Sequence, residues 1–363
     1  MMTKRSASEQ TARLNRTLGI LLVAQLVVVG VVYLGGDSPK APKAEQLFAG
    51  LKADDVNLLK VYGDKQGEVV ELAKSGDDWL LRSGGDYPAQ SDKVKEMIGK
   101  LAALSSSETV TEQQSHQRKL EVADDKYQRK VEIQRKGGKP LTFFIGSSPA
   151  FKRVHVRLAG EKAVHLAGEF SAWDLSTNAG GWVDTQYFKT DSKQVVSLSL
   201  KNNHGTITLT RAAADQAWAL EGLPAGQKLK SGDVDGLVNA ATAITLEAPL
   251  GKNKQADYGF DNPLATLTLV TEKPVKAPAS AASDAGPTAA PAPERQTVTI
   301  LVGAKVGDSY YLKASNSPFY VKVGSWVARP LVDKKRTDLS EAEKAKQPQG
   351  QAHSDGPGAS QAS

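Results

Sequence analysis

The feature that most constrains this chain is an unbroken apolar run close to its start. Leu18–Leu34 reads LGILLVAQLVVVGVVYL and carries no formal charge. At about 1.5 Å per residue, about 17 residues reach roughly 25 Å, near the lower limit for crossing a hydrocarbon core of about 30 Å. Tyr33 stands where an interfacial aromatic is favoured, and Gln25 is the one strongly polar member of the run. Lys4, Arg5, Arg13 and Arg16 precede it against a single acid, Glu9, and Asp37 follows. This asymmetry predicts a cytoplasmic basic tail over 1–17, a transmembrane helix over 18–34 and an exported remainder. A cleaved signal peptide would have an apolar core of about 7–15 residues and a small-x-small cut site. The core here is longer, and the best candidate, Gly36-Asp37-Ser38, would leave Pro39 directly after the cut. A retained single-pass anchor is the expectation.

Roughly 325 residues follow the run, enough for two domains of ordinary size. The chain has 0 cysteines, which excludes a disulfide framework, a thiolate nucleophile or metal site, and lipidation through sulfur. Formal net charge is +6. About half of that lies in the N-terminal tail, and the basic residues beyond it alternate with acids along expected strands. Nucleic acid is therefore not an expected partner.

Residues 35–68 read as tether and lead-in, opening with DSPKAPKA. Residues 274–294, rich in Ala, Pro and Ser, are expected to be a disordered insertion, because such composition cannot bury a core. Residues 340–363 are expected to be a disordered tail, apart from a helical turn near Glu341 to Lys346.

Between these segments the sequence repeats itself. Val69–Lys74 precedes Trp79-Leu80-Leu81 in one copy; Thr206–Arg211 precedes Trp218-Ala219-Leu220 in the other. Each reads as strand, turn, strand. A helix follows in both, opened by Ser91 or Ser231 as N-cap. Val94, Ile98, Leu101 and Leu104 form one apolar face; Val234, Leu237, Val238, Ala241 and Ile244 form the other. Strands come next. The first copy has Lys130–Gln134, Leu141–Gly146 and the pair Val154–Leu158 with Ala163–Leu166. The second has Thr266–Val270, Val298–Gly303 and the pair Tyr310–Lys313 with Phe319–Val323. Gly146 and Gly303 are expected to end equivalent strands, and Val195–Leu200 to start the second copy or join the two. Trp79 and Trp218 lie about 139 positions apart and Leu175 and Leu331 about 156, a difference close to the length of the insertion. The expected fold class is α+β: after the helix, two similar units at 69–190 and 195–339, each an antiparallel sheet with a packed helix.

No G-x-S-x-G, H-E-x-x-H, phosphate-loop or G-x-G-x-x-G pattern occurs. A three-residue loop at Ala159-Gly160-Glu161 would set His155 opposite His165, with both imidazoles on the face away from the core. Two such rings need a third ligand to hold a metal ion, and none is evident nearby; exposed strand histidines are the reading preferred. His116 and His204 fall in polar connections. Asp77-Asp78 and Asp124-Asp125 read as turn residues, since adjacent acids on an extended chain point apart. Trp79 and Trp218 are expected as equivalent core anchors, while Trp326 and Tyr310-Tyr311 are candidates for an exposed binding face. No catalytic, cofactor-binding or metal-ligating residue is assigned, and no cofactor is expected.

The second copy also carries a recognisable series. It runs Trp218-Ala219-Leu220-Glu221-Gly222-Leu223-Pro224, the helix, then Tyr258-Gly259-Phe260-Asp261-Asn262-Pro263, Val302-Gly303, Tyr310-Tyr311 and Arg336-Thr337-Asp338-Leu339. This resembles the DUF4340 family of bacterial envelope proteins, a domain of unknown function. In the first copy Leu120-Glu121-Val122 stands where Tyr-Gly-Phe is expected, and Trp182-Val183-Asp184 stands near the Arg-containing close. The resemblance implies a bacterial inner-membrane protein with its N-terminus in the cytoplasm and its main domains in the periplasm. It also implies a membrane-protein partner, an ABC-type permease or auxiliary component of the gliding-motility-associated kind. It supplies no catalytic residues. The expectation is a non-enzymatic accessory or scaffold protein. A periplasmic glycan-binding module is the alternative, and a hydrolase with dispersed residues a more distant one.

Overall fold

The computed structural model describes residues 7–35, 44–213, 215–273 and 293–343. The sequence expectations for 274–292 and 344–363, and for most of the tether, fall outside these residues. In chain order, α1 (Ala7–Gly35) precedes β1 (Glu45–Gln46), β2 (Val56–Tyr62), β3 (Val69–Ser75), β4 (Asp78–Leu81) and β5 (Tyr87–Pro88). Next come α2 (Ser91–Ala102), β6 (Ser105–Thr111), α3 (Gln114–Gln117), β7 (Val122–Ala123), β8 (Lys126–Tyr127), β9 (Arg129–Arg135), β10 (Leu141–Ile145), β11 (Arg153–Leu158) and β12 (Val164–Gly168). The second half holds β13 (Gln186–Lys189), β14 (Val195–Asn202), β15 (Gly205–Thr210), β16 (Ala219–Leu220), β17 (Gln227–Leu229) and α4 (Ser231–Thr242). It continues with β18 (Ala243–Thr245), β19 (Ala248–Gly251), β20 (Ala265–Lys273), β21 (Glu294–Val306), β22 (Ser309–Ala314), β23 (Tyr320–Gly324), α5 (Ser325–Val332) and β24 (Ser340–Ala342).

Helix α1 starts at Ala7 and so takes in Arg13 and Arg16, which the sequence reading left in a tail. Among the described residues no helix is long and apolar enough to cross a membrane. The side chains of α1 are described from Leu14 to Gly30, which takes in only part of Leu18–Leu34.

Two compact units follow from the packing. The first comprises Met1–Val56, Gly63–Gln66 and Lys95–Leu175; the second comprises Asn57–Tyr62, Gly67–Val94 and Ser176–Ser363. This division does not coincide with the repeat boundaries at 69–190 and 195–339. The reason lies in contacts of the β4–α2 connection inside the second unit. The Tyr87 ring meets Phe319 with centroids 4.7 Å apart, the Gln90 N–H donates to Trp182 O at 2.8 Å, and a Cβ on Gly85 would lie 2.3 Å from the Gly251 backbone.

In the first unit, β9, β10, β11 and β12 form an antiparallel meander, and β6 and then β1 add beyond β12. Val131, Phe143, Ile145, Val154, Val156 and Ala167 share the buried face, as strand alternation dictates. Ile98, Leu101 and Leu104 are buried, and the Phe48 ring stacks on Phe143 at 4.3 Å. The later part of the lead-in, from Phe48 on, therefore belongs to the fold: Phe48, Leu51, Val56, Leu59 and Val61 are all buried.

In the second unit, one eight-stranded antiparallel sheet runs β16-β15-β14-β20-β21-β22-β23-β19. β14 lies inside it between β15 and β20, so Val195–Leu200 opens the second meander rather than joining two bodies. α5, which the sequence reading lacked, packs on the sheet through Val327, Ala328, Leu331 and Val332. Pro330 within it obscures the helical signal. β24 pairs with β17 through Ser340 to Leu229 and Ala342 to Gln227, so the chain stays ordered past Leu339 as strand, where a helical turn was expected. Likewise, Glu294 is already the first residue of β21.

The two meanders share devices at the level of single atoms. A Cβ on Gly146 would lie 2.1 Å from Leu120 O, and a Cβ on Gly303 would lie 2.1 Å from Tyr258 O. Glu121 and Gly259, the middle residues of the facing segments, are both left-handed, with φ 58 and φ 73. Glycine takes that conformation at little expense, whereas glutamate is strained there. Gly303 sits inside β21 instead of ending it. A cation closes each following hairpin. Arg157 donates to Leu158 O at 3.3 Å and Glu161 O at 3.1 Å. Lys313, which stands 156 positions later, donates to Ala314 O at 2.8 Å and to Ser317 O.

Candidate functional site

The histidine pair of the sequence reading does not form. In the β11–β12 register His155 lies opposite Leu166 and Val156 opposite His165. The connection spans residues 159–163, longer than a three-residue loop, and the pairing slips by one position. Because side chains alternate with period 2, that slip puts the two rings on opposite faces. His155 is 6% exposed and not on an open face as expected; its Nδ1 lies 3.1 Å from Ser147 Oγ. Burial holds its pKa below the ordinary histidine value, and the backbone hydrogen bond with Ser147 only partly opposes this. His165 pairs with Thr109 at 3.4 Å, and His116 and His204 are exposed. Among the described residues no group of three or more His, Asp or Glu side chains is placed to hold a metal ion.

The acid pairs sit at turns. Asp124 and Asp125 form the tip of the β7–β8 hairpin, where Asp124 accepts from Arg157 Nη2 at 2.8 Å and Asp125 pairs with Arg118. Arg157 is 2% exposed. Its Nε donates to Val122 O at 2.6 Å and its guanidinium lies 4.6 Å from the Phe144 ring centroid. This cluster is structural: it fastens a small apolar core of Val122, Phe144 and Val164 beneath the hairpin.

The tryptophans divide. Trp79 and Trp182 are each 1% exposed, and Trp182 Nε1 donates to Ser176 O at 2.8 Å. Trp218 is only half-buried, so it is not the counterpart core anchor expected from Trp79. Trp79 lies within β4 and pairs with Lys74, whereas β16 begins only at Ala219, after a connection two residues longer, so Trp218 stands outside the paired strand with the Arg211 guanidinium over its ring. Of the expected binding face, Trp326 is 71% exposed but Tyr310 is buried.

Trp218 lines a cleft of about 540 Å³ with Arg211, Asp215, Gln216, Ala217, Leu229, Ser231, Val234 and Asp235. Strand β15 ends beside it, and the first turn of α4 forms its other wall. The Arg211 guanidinium lies 4.5 Å from the Trp218 ring centroid. Its Nε donates to Val195 O at 2.7 Å and its Nη2 to Ser192 O at 2.6 Å and Lys193 O at 3.0 Å. Burial lowers its pKa, while Asp235, Asp191 and Asp215 act in the opposite sense. The cleft thus offers an indole edge, a fixed cation and two carboxylates, a mixture suited to a neutral, polyhydroxylated or amide-bearing ligand. Sequence reading missed it because its signal is the length of one loop.

Fold and site together define a mixed α/β protein built on large antiparallel sheets with few helices, with structural polar clusters and a small cleft among the described residues. Residues 79–231 match the family described as Domain of unknown function (DUF4340), and the chain is a DUF4340 domain-containing protein. The match covers most of the first copy and the opening of the second, so Tyr258-Gly259-Phe260 lies beyond it. No curated protein and no solved structure matches the chain.

Proposed function

We propose that this is a non-enzymatic accessory or scaffold protein, anchored in the bacterial inner membrane by Leu18–Leu34. In this reading its sheets lie in the periplasm, where they dock to an ABC-type permease or another cell-envelope complex. The observation that carries the anchor is the surface of α1. Ile20, Leu21, Leu22 and Val23 point to successive directions around the helix, and all are 56–65% exposed. A helix that is apolar all round is stable only inside a core or a bilayer. Ten large apolar side chains of α1, from Leu14 to Val29, are exposed. At about 1.5–3 kcal/mol each, their transfer into lipid is worth on the order of 15 kcal/mol or more. The basic residues before the run give the direction, and the DUF4340 resemblance motivates the partner.

The test is affinity purification of the full chain from solubilised membranes after mild crosslinking. Co-recovery of a permease and its ATPase is the expected result; recovery of the chain alone would overturn the scaffold reading. A second reading, a periplasmic glycan-binding module, draws on the Trp218 cleft. Titration with soluble envelope oligosaccharides tests it, and binding that survives Trp218→Ala would exclude this site.

A further inference from the structure

The two copies build one junction differently, and the difference leaves a concavity. In the first, Trp79 is 1% exposed and its backbone N–H donates to Ser91 Oγ at 3.0 Å. The strand and the first residue of α2 thus close on each other. In the second, Trp218 and Ser231 hold the matching places, and both line the cleft of about 540 Å³. Among the described residues Ser231 Oγ makes no hydrogen bond, so this junction stays open. Small-molecule pockets measure about 300–1,000 Å³, and the cleft falls within that range. The first copy shows that the fold forms this junction without a cleft.

Its walls favour one kind of ligand. Leu229, Val234 and the indole supply apolar surface. The Arg211 guanidinium covers part of the ring at 4.5 Å, and a ligand meets the remainder. Arg211 spends Nε and Nη2 on three backbone carbonyls, which fix it in the wall and offset its charge.

Asp215 and Asp235 line the same cleft. Among the described residues neither carboxylate has a hydrogen-bond or ion-pair partner. The ammonium groups of Lys230 and Lys334 pair instead with Asp233, at 3.8 and 3.6 Å. The cleft therefore holds two unpaired acids against one engaged cation, a field that repels anions and draws in a positive charge. The duplication sharpens the point. Counting from Ser91 and Ser231, Lys95 stands in the first copy where the second has Asp235, so an acid there is not a requirement of the helix.

We infer that the Trp218 cleft selects an amino-bearing saccharide, its ring packed on the indole and Leu229 and its ammonium held by Asp215 and Asp235. The inference rests on the glycan-binding reading of this cleft. A neutral sugar fills the same space without using the two charges. Acetylation of the amine removes the positive charge, and with it the charge-assisted hydrogen bonds to the carboxylates.

The test is isothermal titration of the full chain in detergent with three probes: a β-1,4-linked glucosamine disaccharide, its N,N′-diacetylated form, and cadaverine, an amine with no ring. The free amino disaccharide should bind about tenfold more tightly than the acetylated one, from two exposed charge contacts of about threefold each. Cadaverine should bind more weakly than either sugar. Asp215→Asn combined with Asp235→Asn should abolish the tenfold preference while leaving affinity for the acetylated sugar unchanged, which also shows that the variant is folded. Trp218→Ala should weaken both sugars. Equal affinity of the parent for the two sugars overturns the amine selection and leaves the glycan reading standing. Failure of both sugars to bind overturns the two together. Cadaverine binding as tightly as the amino disaccharide overturns the saccharide assignment. A preference that survives the double substitution places the ligand elsewhere and overturns the site.

Discussion

Replacing Gly303 by alanine asks whether the close approach shared by the two copies holds each meander together. The new methyl would start 2.1 Å from Tyr258 O. Carbon and oxygen settle at about 3.3 Å or beyond, so the Tyr258 backbone must retreat by about 1 Å. That shift disturbs a ring set in which Tyr258 lies 4.5 Å from Tyr311 and 5.7 Å from Tyr320. Overpacking of this kind typically costs about 1–3 kcal/mol. Gly146→Ala meets Leu120 O at the same distance and also strains two hydrogen bonds from Ser147 to that oxygen, at 3.0 and 3.1 Å. With about 1 kcal/mol for each bond, a loss of about 3–4 kcal/mol is expected there. At about 2–4 °C per kcal/mol, the midpoint of thermal unfolding falls by about 10 °C. The matched control is Gly99→Ala in α2, where nothing lies within 4 Å of the added methyl and helix propensity predicts a gain of about 1 kcal/mol. The assay is thermal unfolding of the full chain in detergent, with hydrogen exchange to localise the loss. Exchange should rise around 120–158 for Gly146→Ala and around 258–312 for Gly303→Ala. If both variants stay within about 0.5 kcal/mol of the parent, the approach is not tight and the reasoning fails.

Other consequences are quicker to state. Trp79→Ala removes a fully buried indole and should lose about 3–5 kcal/mol, whereas Trp218→Ala should lose under about 1.5 kcal/mol because half of that ring already meets solvent; urea unfolding of the two variants compares them. Arg157→Ala strands Val122 O, Leu158 O and Glu161 O and should cost about 3 kcal/mol. Arg157→Lys should recover part of this, since Lys313 already holds the equivalent hairpin with an ammonium; the same measurement decides. The folded-state pKa of His155 is lowered, so the unfolded chain binds the extra proton first and stability falls as pH drops through the ordinary histidine range. Thermal midpoints between pH 7.5 and 5 should fall less steeply in His155→Gln; parallel profiles would show that His155 is not the group responsible.

Much of the fold was legible because two kinds of periodicity run through the sequence. Alternation located β9 to β12 and β20 to β23, and helical spacing located α2 and α4. What escaped had a physical cause in each case. β2 reads Val56-Asn57-Leu58-Leu59-Lys60-Val61-Tyr62, where Leu58 and Leu59 break the alternation. α5 contains Pro330 and spans only eight residues. The β11–β12 register turned on a loop two residues longer than assumed, which moved His155 indoors. Ser91 and Ser231 mark helix starts but do not cap them: both are the first helical residues, the N-cap of α4 is Lys230, and Ser91 Oγ accepts from the Trp79 N–H at 3.0 Å. The cleft was invisible because two extra residues in one connection leave no mark on composition or pattern.

Comparison of the copies separates what the scaffold requires from what it carries. Gly146 with Gly303, Glu121 with Gly259, and Arg157 with Lys313 perform the same mechanical tasks in both meanders, so their chemistry is accounted for without a ligand. Glu121 even keeps the left-handed backbone where the second copy uses glycine, which shows that the geometry is retained against local preference. The copies differ at Phe151 against Gly307, at Trp173 in a 3-10 turn against Arg329 in α5, and in a hairpin two residues longer before Trp218 than before Trp79. In a duplicated fold the shared positions report on stability, and the divergent exposed ones are where the copies acquired separate duties. Phe151, Trp173 and Trp218 are such positions, and aromatic side chains on the connections of a rigid sheet are suited to holding a surface, in keeping with the docking role proposed above.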